Sequence, residues 1–70
     1  MYENEQLERN FTYHAPKADQ LERYQQLRDM FKELAYRIDK LCPKSREQSL
    51  AMTNLETAIF WANASIARNE

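Results

Sequence analysis

Apolar residues recur at steps of three and four positions between residues 17 and 42. They are Leu21, Tyr24, Leu27, Phe31, Leu34, Ile38 and Leu41. Residues three or four positions apart share one face of an α-helix, so this spacing places a single apolar stripe along a long helix. Asp19, with Glu22 three positions later, has the pattern of an N-terminal cap near the start of that helix. The pattern predicts a helix over residues 17–42.

A second helix is predicted after the proline that ends the first. Pro43 cannot donate to the helical hydrogen-bond ladder and disfavours helical geometry at the residue before it. The sequence SREQ, which begins at Ser45, is a capping box in which the Ser45 hydroxyl accepts from the Gln48 amide and the Gln48 side chain reaches back. The second helix is predicted over residues 46–68. Its predicted inward face comprises Leu50, Thr53, Leu55, Ala58, Ile59, Ala62 and Ile66.

These two helices define the predicted fold class. Residues 43–45 allow only a short turn, which favours an antiparallel two-helix hairpin. Residues 1–16 are predicted to form an N-terminal arm or short helix: NEQLERNF favours a helical turn, and NFTYHAP, where rings alternate with polar residues ahead of a proline, favours an extended segment. The chain has no glycine and two prolines, which suits long helices with few turns. We therefore predict an all-α protein with a single helical-hairpin domain over residues 1–70.

A chain of 70 residues builds only a marginal core of its own. The single cysteine, Cys42, and the single histidine, His14, exclude a disulfide within the chain and a zinc site made of Cys and His ligands, so we expect no metal and no other cofactor. Further apolar side chains lie beside or behind the main apolar stripes. These are Met30, Tyr36, Met52, Phe60 and Trp61. Self-association is the remaining way to cover this surface, and the sequence predicts a homo-oligomer.

The charge balance narrows the classes of partner. Ten basic and eleven acidic residues give a net charge of -1, which argues against a general electrostatic grip on a DNA or RNA polymer or on an anionic membrane. No apolar run approaches the ~20 residues that a membrane span needs. The N-terminus lacks the basic-then-apolar pattern of a secretory signal. We expect a soluble intracellular protein with no membrane partner.

The sequence lacks the groups that catalysis needs. It contains no HExxH motif, no glycine-rich phosphate loop and no paired cysteines, and His14 has no obvious Cys or Ser partner. Carboxylates such as Glu22 and Asp29 are interspersed with cations at helical spacing, which is typical of a solvated face. No catalytic residues are assigned, and an enzyme is not expected.

A few residues suit the binding of a nucleotide without chemistry on it. The ring of Tyr13 can stack on a base, and Arg28 and Lys32, one helical turn apart, can meet phosphate oxygens together. Each feature also has a simpler interpretation. Phe11 and Tyr13 suit an arm packed on a neighbouring chain, and the two cations suit an ordinary charged surface. The residues alone therefore indicate an oligomeric helical hairpin and leave its ligand open.

Two stretches and the helix between them resemble a known family. FTYHAPK and LCPKSREQSLAMTNLETAIFWANASIARNE are similar to the small phage anti-CBASS proteins that act as cyclic-oligonucleotide sponges, and the resemblance covers residues 10–70. It implies a helical hairpin that assembles into a compact oligomer, a hexamer in relatives. It also implies a protein that sequesters cyclic dinucleotides such as cGAMP, and in some relatives cyclic trinucleotides, without cleaving them. Such a sponge blocks CBASS immune signalling in the cytoplasm of the infected bacterial host cell.

The resemblance also implies roles for particular residues. Tyr13 matches the arm tyrosine that stacks on a base where two protomers meet, with Phe11 anchoring the arm on the partner. The phosphate-contacting cation of the first long helix falls at or near Arg28 or Lys32. Arg68 and Asn69 match an Arg-Asn pair that belongs to a separate cyclic trinucleotide pocket near an oligomer axis.

Three alternatives stay open beside this interpretation. A related group that shares the hairpin captures cyclic ADP-ribose signals, so the ligand class is not fixed. The hairpin can instead grip another protein through its apolar surface. A small nucleic-acid binder is the third, and the balanced charge speaks against it.

Overall fold

The computed structural model describes residues 3–70 and contains three helices. Helix α1 spans Asn4–Phe11, α2 spans Gln20–Leu41 and α3 spans Arg46–Asn69. No strand occurs in the described part of the chain, which confirms the all-α class. Helices α2 and α3 pack against each other, and the molecule measures 44 × 32 × 12 Å along its principal axes. Its smallest dimension is about one helix diameter, so the chain forms a flat layer one helix thick.

Helix α2 begins at Gln20, three residues later than predicted. Ala18 has a φ of 52°, in the left-handed region, which a right-handed helix of L-residues cannot include. Asp19 occupies the N-cap position, but its side chain makes no capping hydrogen bond. Its Oδ1 instead lies 3.3 Å from Nη2 of Arg23. Asp19 is thus the N-cap residue, as predicted, but it lacks the capping hydrogen bond, and the predicted helix over residues 17–42 begins too early.

The other end of α2 and the start of α3 follow the predicted turn over residues 43–45, with one difference. Cys42 is extended, with φ -109° and ψ 134°, because it precedes Pro43. Ser45 Oγ accepts a hydrogen bond from Gln48 N at 3.1 Å, as the capping box predicts. The Gln48 side chain does not reach back: its Nε2 donates to the carbonyl of Cys42 at 3.0 Å and lies 3.5 Å from that of Asp39. It thereby satisfies a carbonyl at the end of α2, where the helix offers no partner.

The two long helices meet along a half-buried seam. On α2 the seam includes four residues of the predicted stripe, namely Tyr24, Leu27, Phe31 and Ile38, whereas Leu21, Leu34 and Leu41 of that stripe are exposed. On α3 it includes Met52, Leu55, Ile59, Ala62 and Ile66. These positions follow steps of 3, 4, 3 and 4. The predicted members Leu50, Thr53 and Ala58 lie off this line and are exposed, so the inward face of α3 was predicted only in part.

No apolar side chain is fully buried among residues 3–70. The only buried residue in this range is polar, Gln20, at 3 % exposure. Large apolar side chains are exposed on both helices and on the arm, and they include Phe11, Tyr13, Met30, Tyr36, Phe60 and Trp61. A layer one helix thick leaves every side chain near solvent, so a single chain has no interior in which to bury them.

The N-terminal segment forms a complete short helix followed by an extended arm. At the start of α1, Glu3 N donates to Gln6 Oε1 at 3.2 Å. After α1, the ring Nε2 of His14 lies 2.6 Å from the carbonyl of Arg9, where a ring N–H satisfies one of the last carbonyls of the helix. The predicted helical turn in NEQLERNF is present as the eight residues of α1. Residues 1 and 2 of the predicted arm lie outside the described residues.

Within residues 3–70, no helix combines the length and the apolar character that crossing a bilayer requires. The same residues contain no group of three or more His, Cys, Asp or Glu side chains placed to hold a metal ion.

Candidate ligand-binding site

Tyr13 lies on the extended arm between α1 and α2 and does not pack on its own hairpin. Its side chain is 83 % exposed, as is that of Phe11 at the end of α1. The rings of the arm are therefore free of the apolar seam of the chain that carries them. Both rings are accessible to a ligand or to another chain.

Arg28 and Lys32 line one groove of about 300 Å³ between α2 and α3. The apolar lining of this groove is formed by Phe31, Ala35, Leu55 and Ile59. Glu56 on α3 is the only carboxylate in the lining, so the groove carries two cations against one anion. The structure thus brings the two predicted phosphate-binding residues together. Tyr13 does not belong to this lining, so the predicted stacking ring and the predicted cations do not share a groove within one chain.

The guanidinium of Arg28 is oriented by neighbours on its own helix. Its Nη2 donates to Gln25 Oε1 at 2.8 Å, and Gln25 Nε2 donates in turn to Asp29 Oδ1 at 2.8 Å. A guanidinium has five N–H donors, so this bond leaves most of them available for an anion in the groove. The contact with Gln25 therefore leaves Arg28 able to donate to an anion.

Arg68 and Asn69 lie in the last turn of α3. The guanidinium carbon of Arg68 is 5.8 Å from the ring centroid of Trp61, a cation–π contact two turns apart on one helix. Asn69 Nδ2 donates to the Ser65 carbonyl at 3.0 Å, so its amide oxygen is the group left to accept from a ligand. The structure brings Arg68 together with an aromatic ring that the sequence analysis assigned to the surface covered by self-association. The Asn69 side chain is hydrogen-bonded to its own helix.

One polar cluster was missed by the sequence analysis: Lys17, Gln20, Arg23 and Glu70, called here the Glu70 cluster. The Glu70 carboxylate accepts from Gln20 Nε2 at 3.0 Å, from Arg23 Nη1 at 2.7 Å, and from Arg23 Nη2. Its main-chain oxygen accepts from Lys17 Nζ at 2.7 Å. Glu70 and its partners are 47 to 53 positions apart in the sequence, so no local spacing of residues predicts the cluster.

The Glu70 cluster holds its carboxylate in the charged form. Hydrogen bonds from Arg23 and then from Gln20 lower the pKa of Glu70 to about 2. The same hydrogen bond from Arg23 raises the pKa of that guanidinium. Glu70 is therefore ionised at neutral pH and keeps its hydrogen bonds.

These features define a class of protein. It is a small α-helical chain with a flat layer of two long helices, an arm that carries aromatic rings, and a groove lined by cations. The family model described as Acb2/Tad1, hairpin domain, matches residues 3–67. The chain belongs to this family, the anti-CBASS sponges, which sequester cyclic nucleotides and are not enzymes. The predicted resemblance is thereby confirmed, although Arg68, Asn69 and Glu70 lie beyond the matched residues. No curated protein and no solved structure matches the chain.

Proposed function

We propose that this protein is a phage-encoded sponge that binds cyclic dinucleotides, and also cyclic trinucleotides, without cleaving them. By sequestering these messengers in the cytoplasm of the infected host cell, it blocks CBASS immune signalling. Family membership over residues 3–67 is the observation that carries the proposal. The site proposed below adds the chemistry: an aromatic ring for a base and cations for phosphates.

The cyclic dinucleotide site lies between two protomers of an antiparallel hairpin assembled into a homo-oligomer, a hexamer by the resemblance. Tyr13 of one protomer stacks on a base, and Arg28 or Lys32 of the other binds a phosphate. In support, the ring of Tyr13 is free of its own hairpin while both cations line a separate groove. A two-fold interface offers each half of the ligand the same ring and the same cation.

The oligomer itself is supported by what one chain leaves uncovered. No apolar side chain is fully buried among residues 3–70, and exposed apolar residues lie on both long helices. Copies of the same chain would cover these faces and bring the arm of one protomer onto its neighbour. Phe11, 83 % exposed, is the arm residue proposed to anchor on the partner's apolar surface.

The cyclic trinucleotide site is proposed at Arg68 and Asn69, near an oligomer axis. The guanidinium of Arg68 lies over Trp61, which is 63 % exposed, so a cation and a flat ring are presented together at this end of α3. The amide oxygen of Asn69 can accept from a base. These are the two kinds of contact that a nucleotide needs.

Binding without cleavage is supported by the family, whose members sequester cyclic nucleotides. Nε2 of His14 lies 2.6 Å from the carbonyl of Arg9, and we propose that this contact gives the ring a structural role at the end of α1.

The affinity for cyclic dinucleotides, measured by calorimetry on wild type and variants, tests the proposed site. Tyr13→Ala removes the stacking ring and is expected to weaken binding about tenfold or more, whereas Tyr13→Phe keeps the ring and is expected to bind within about twofold of wild type. Arg28→Ala and Lys32→Ala are compared with Lys44→Ala, an exposed cation in the turn after α2. Equal affinity of Tyr13→Ala and wild type would exclude the stacking role.

Cyclic ADP-ribose is the alternative ligand. It offers an adenine base for an aromatic ring and a pyrophosphate for cations, so the same residue types suit it. Adding cyclic ADP-ribose isomers to the calorimetric series distinguishes the two ligand classes. Another protein is the alternative partner for the exposed apolar residues; in that case no nucleotide in the series would bind.

A further inference from the structure

The arm that carries Tyr13 joins α2 through a turn that the Glu70 cluster holds. Gln20 lies at the centre of this turn and is the only buried residue among residues 3–70, at 3 % exposure. Its Oε1 accepts from Lys17 N at 3.1 Å, and its own N donates to the Lys17 carbonyl at 3.0 Å. Both hydrogen bonds close the turn from the last residues of the arm to the first residue of α2.

The side-chain nitrogen of Gln20, Nε2, connects this turn to the end of α3. Gln20 Nε2 donates to Glu70 Oε1 at 3.0 Å, and Arg23, one turn further along α2, donates to both oxygens of the same carboxylate. A bidentate guanidinium–carboxylate pair fixes orientation as well as distance. Glu70 therefore couples the position of the turn to the end of α3.

The turn needs such support because its backbone is held in an unfavourable conformation. Ala18 has a φ of 52° although it carries a Cβ. A residue in this region persists when the surrounding contacts determine its conformation. Pro16 restricts the backbone just before the turn, so the conformation at Ala18 sets the direction in which the arm leaves the hairpin. Tyr13 lies three residues before Pro16, and its placement depends on that direction.

We propose that Glu70 is a positioning residue for the ligand site: through Gln20 and Arg23 it fixes the turn at Ala18 and so presents Tyr13 of the arm to the neighbouring protomer. This inference rests on the proposed function, since it assigns Tyr13 to the cyclic dinucleotide. Glu70 lies outside the residues 3–67 that match the family model, so the matched domain does not itself include this residue. The carboxylate acts through the arm and does not touch the ligand.

The test compares Glu70→Gln with Glu33→Gln. Each removes the acidic member of an ion pair, because Glu33 Oε1 lies 2.9 Å from Arg37 Nη2 on an exposed face of α2, away from the arm. Limited trypsin digestion reports the arm without any ligand: the bond after Lys17 lies in the Glu70 cluster, and the bond after Lys44 lies in the turn between the long helices. A local release of the arm raises cleavage at Lys17 alone, whereas general unfolding raises both.

Glu70→Gln is expected to raise the rate of cleavage after Lys17, relative to that after Lys44, about fivefold or more. It is also expected to weaken cyclic dinucleotide binding about fivefold, with Glu33→Gln within about twofold of wild type in both measurements. Arg23→Lys keeps the cation but not the bidentate pair and is expected to fall between them.

The outcomes separate the two levels of the proposal. If wild type binds and Glu70→Gln matches it in affinity, or in relative cleavage at Lys17, Glu70 does not position the arm. If cleavage at Lys17 rises equally with cleavage at Lys44, its role is general stability and the positioning role is overturned. If wild type binds no cyclic dinucleotide, the proposed function fails, while selective cleavage at Lys17 in Glu70→Gln would still demonstrate the hold on the arm.

Discussion

Ala18 shows how a single backbone conformation determines where a helix begins. A left-handed L-residue costs roughly 1–2 kcal/mol, and a glycine at the same place avoids that cost because it has no Cβ. The chain contains no glycine, and an alanine occupies this turn. Contacts with its neighbours must therefore maintain the left-handed conformation of Ala18. The hydrogen bonds between Lys17 and Gln20 on either side of it provide that hold.

Ala18→Gly is therefore expected to raise the free energy of unfolding by about 0.5–1 kcal/mol, once the greater flexibility of glycine in the unfolded chain is subtracted. Chemical denaturation measures the change. Ala51→Gly is the matched control: it lies at an exposed position inside α3 and is expected to destabilise by about 1 kcal/mol. A loss of stability in both variants would show that the φ of Ala18 carries no strain.

At the scale of the elements, α3 depends on a cap that the sequence predicts and the structure contains. Ser45 Oγ accepts from Gln48 N at 3.1 Å and satisfies one of the free N–H groups at the start of α3. Gln48 adds a bond that joins the two long helices, from its Nε2 to the Cys42 carbonyl. The turn between α2 and α3 is thus held from both sides.

Ser45→Ala is expected to lower the free energy of unfolding by about 1 kcal/mol. Ser49→Ala, at an exposed position one turn inside α3, is expected to be neutral or slightly stabilising because alanine is the better helix former. Thermal and denaturant unfolding measure the free energy of unfolding of the two variants. The capping role would be contradicted if the two substitutions changed stability equally.

The elements also show what the sequence can and cannot predict. The period of the apolar residues places α2 and α3, and Pro43 with Ser45 defines the turn between them. The start of α2 was not predictable in the same way, because the side chain at the expected cap, Asp19, pairs with Arg23 instead. The prediction failed at a turn whose residues also make contacts distant in sequence, with Glu70.

The candidate site also has a part that the sequence predicts and a part that it does not predict. Arg28 and Lys32 were identifiable because their spacing of one turn is a property of a helix, and the structure places both in one groove. Whether Tyr13 meets such a groove depends on a second chain, which a single-chain pattern does not describe. The residues of the Glu70 cluster are in contact but lie far apart in the sequence, at the start of α2 and after the end of α3. Neither the charge pattern nor a motif predicts this cluster.

The molecule as a whole is expected to exist as an oligomer. A layer 12 Å thick with no buried apolar residue among residues 3–70 has too little interior to be stable alone. Sedimentation at micromolar concentration is therefore expected to give a multiple of the 8.4 kDa chain mass, six by the resemblance. A folded monomer under these conditions would contradict both the oligomer and a ligand site shared between protomers.

Recovery of bound nucleotide tests the central claim most directly. The purified protein is mixed with cyclic di- and trinucleotides and cyclic ADP-ribose isomers, separated from free ligand, denatured by heat and analysed by mass spectrometry. A sponge is expected to release a cyclic di- or trinucleotide intact, in an amount comparable to the protein sites, and Tyr13→Ala to retain far less cyclic dinucleotide. Linear products would reveal an enzyme, and the release of no nucleotide would show that the hairpin binds a partner of another kind.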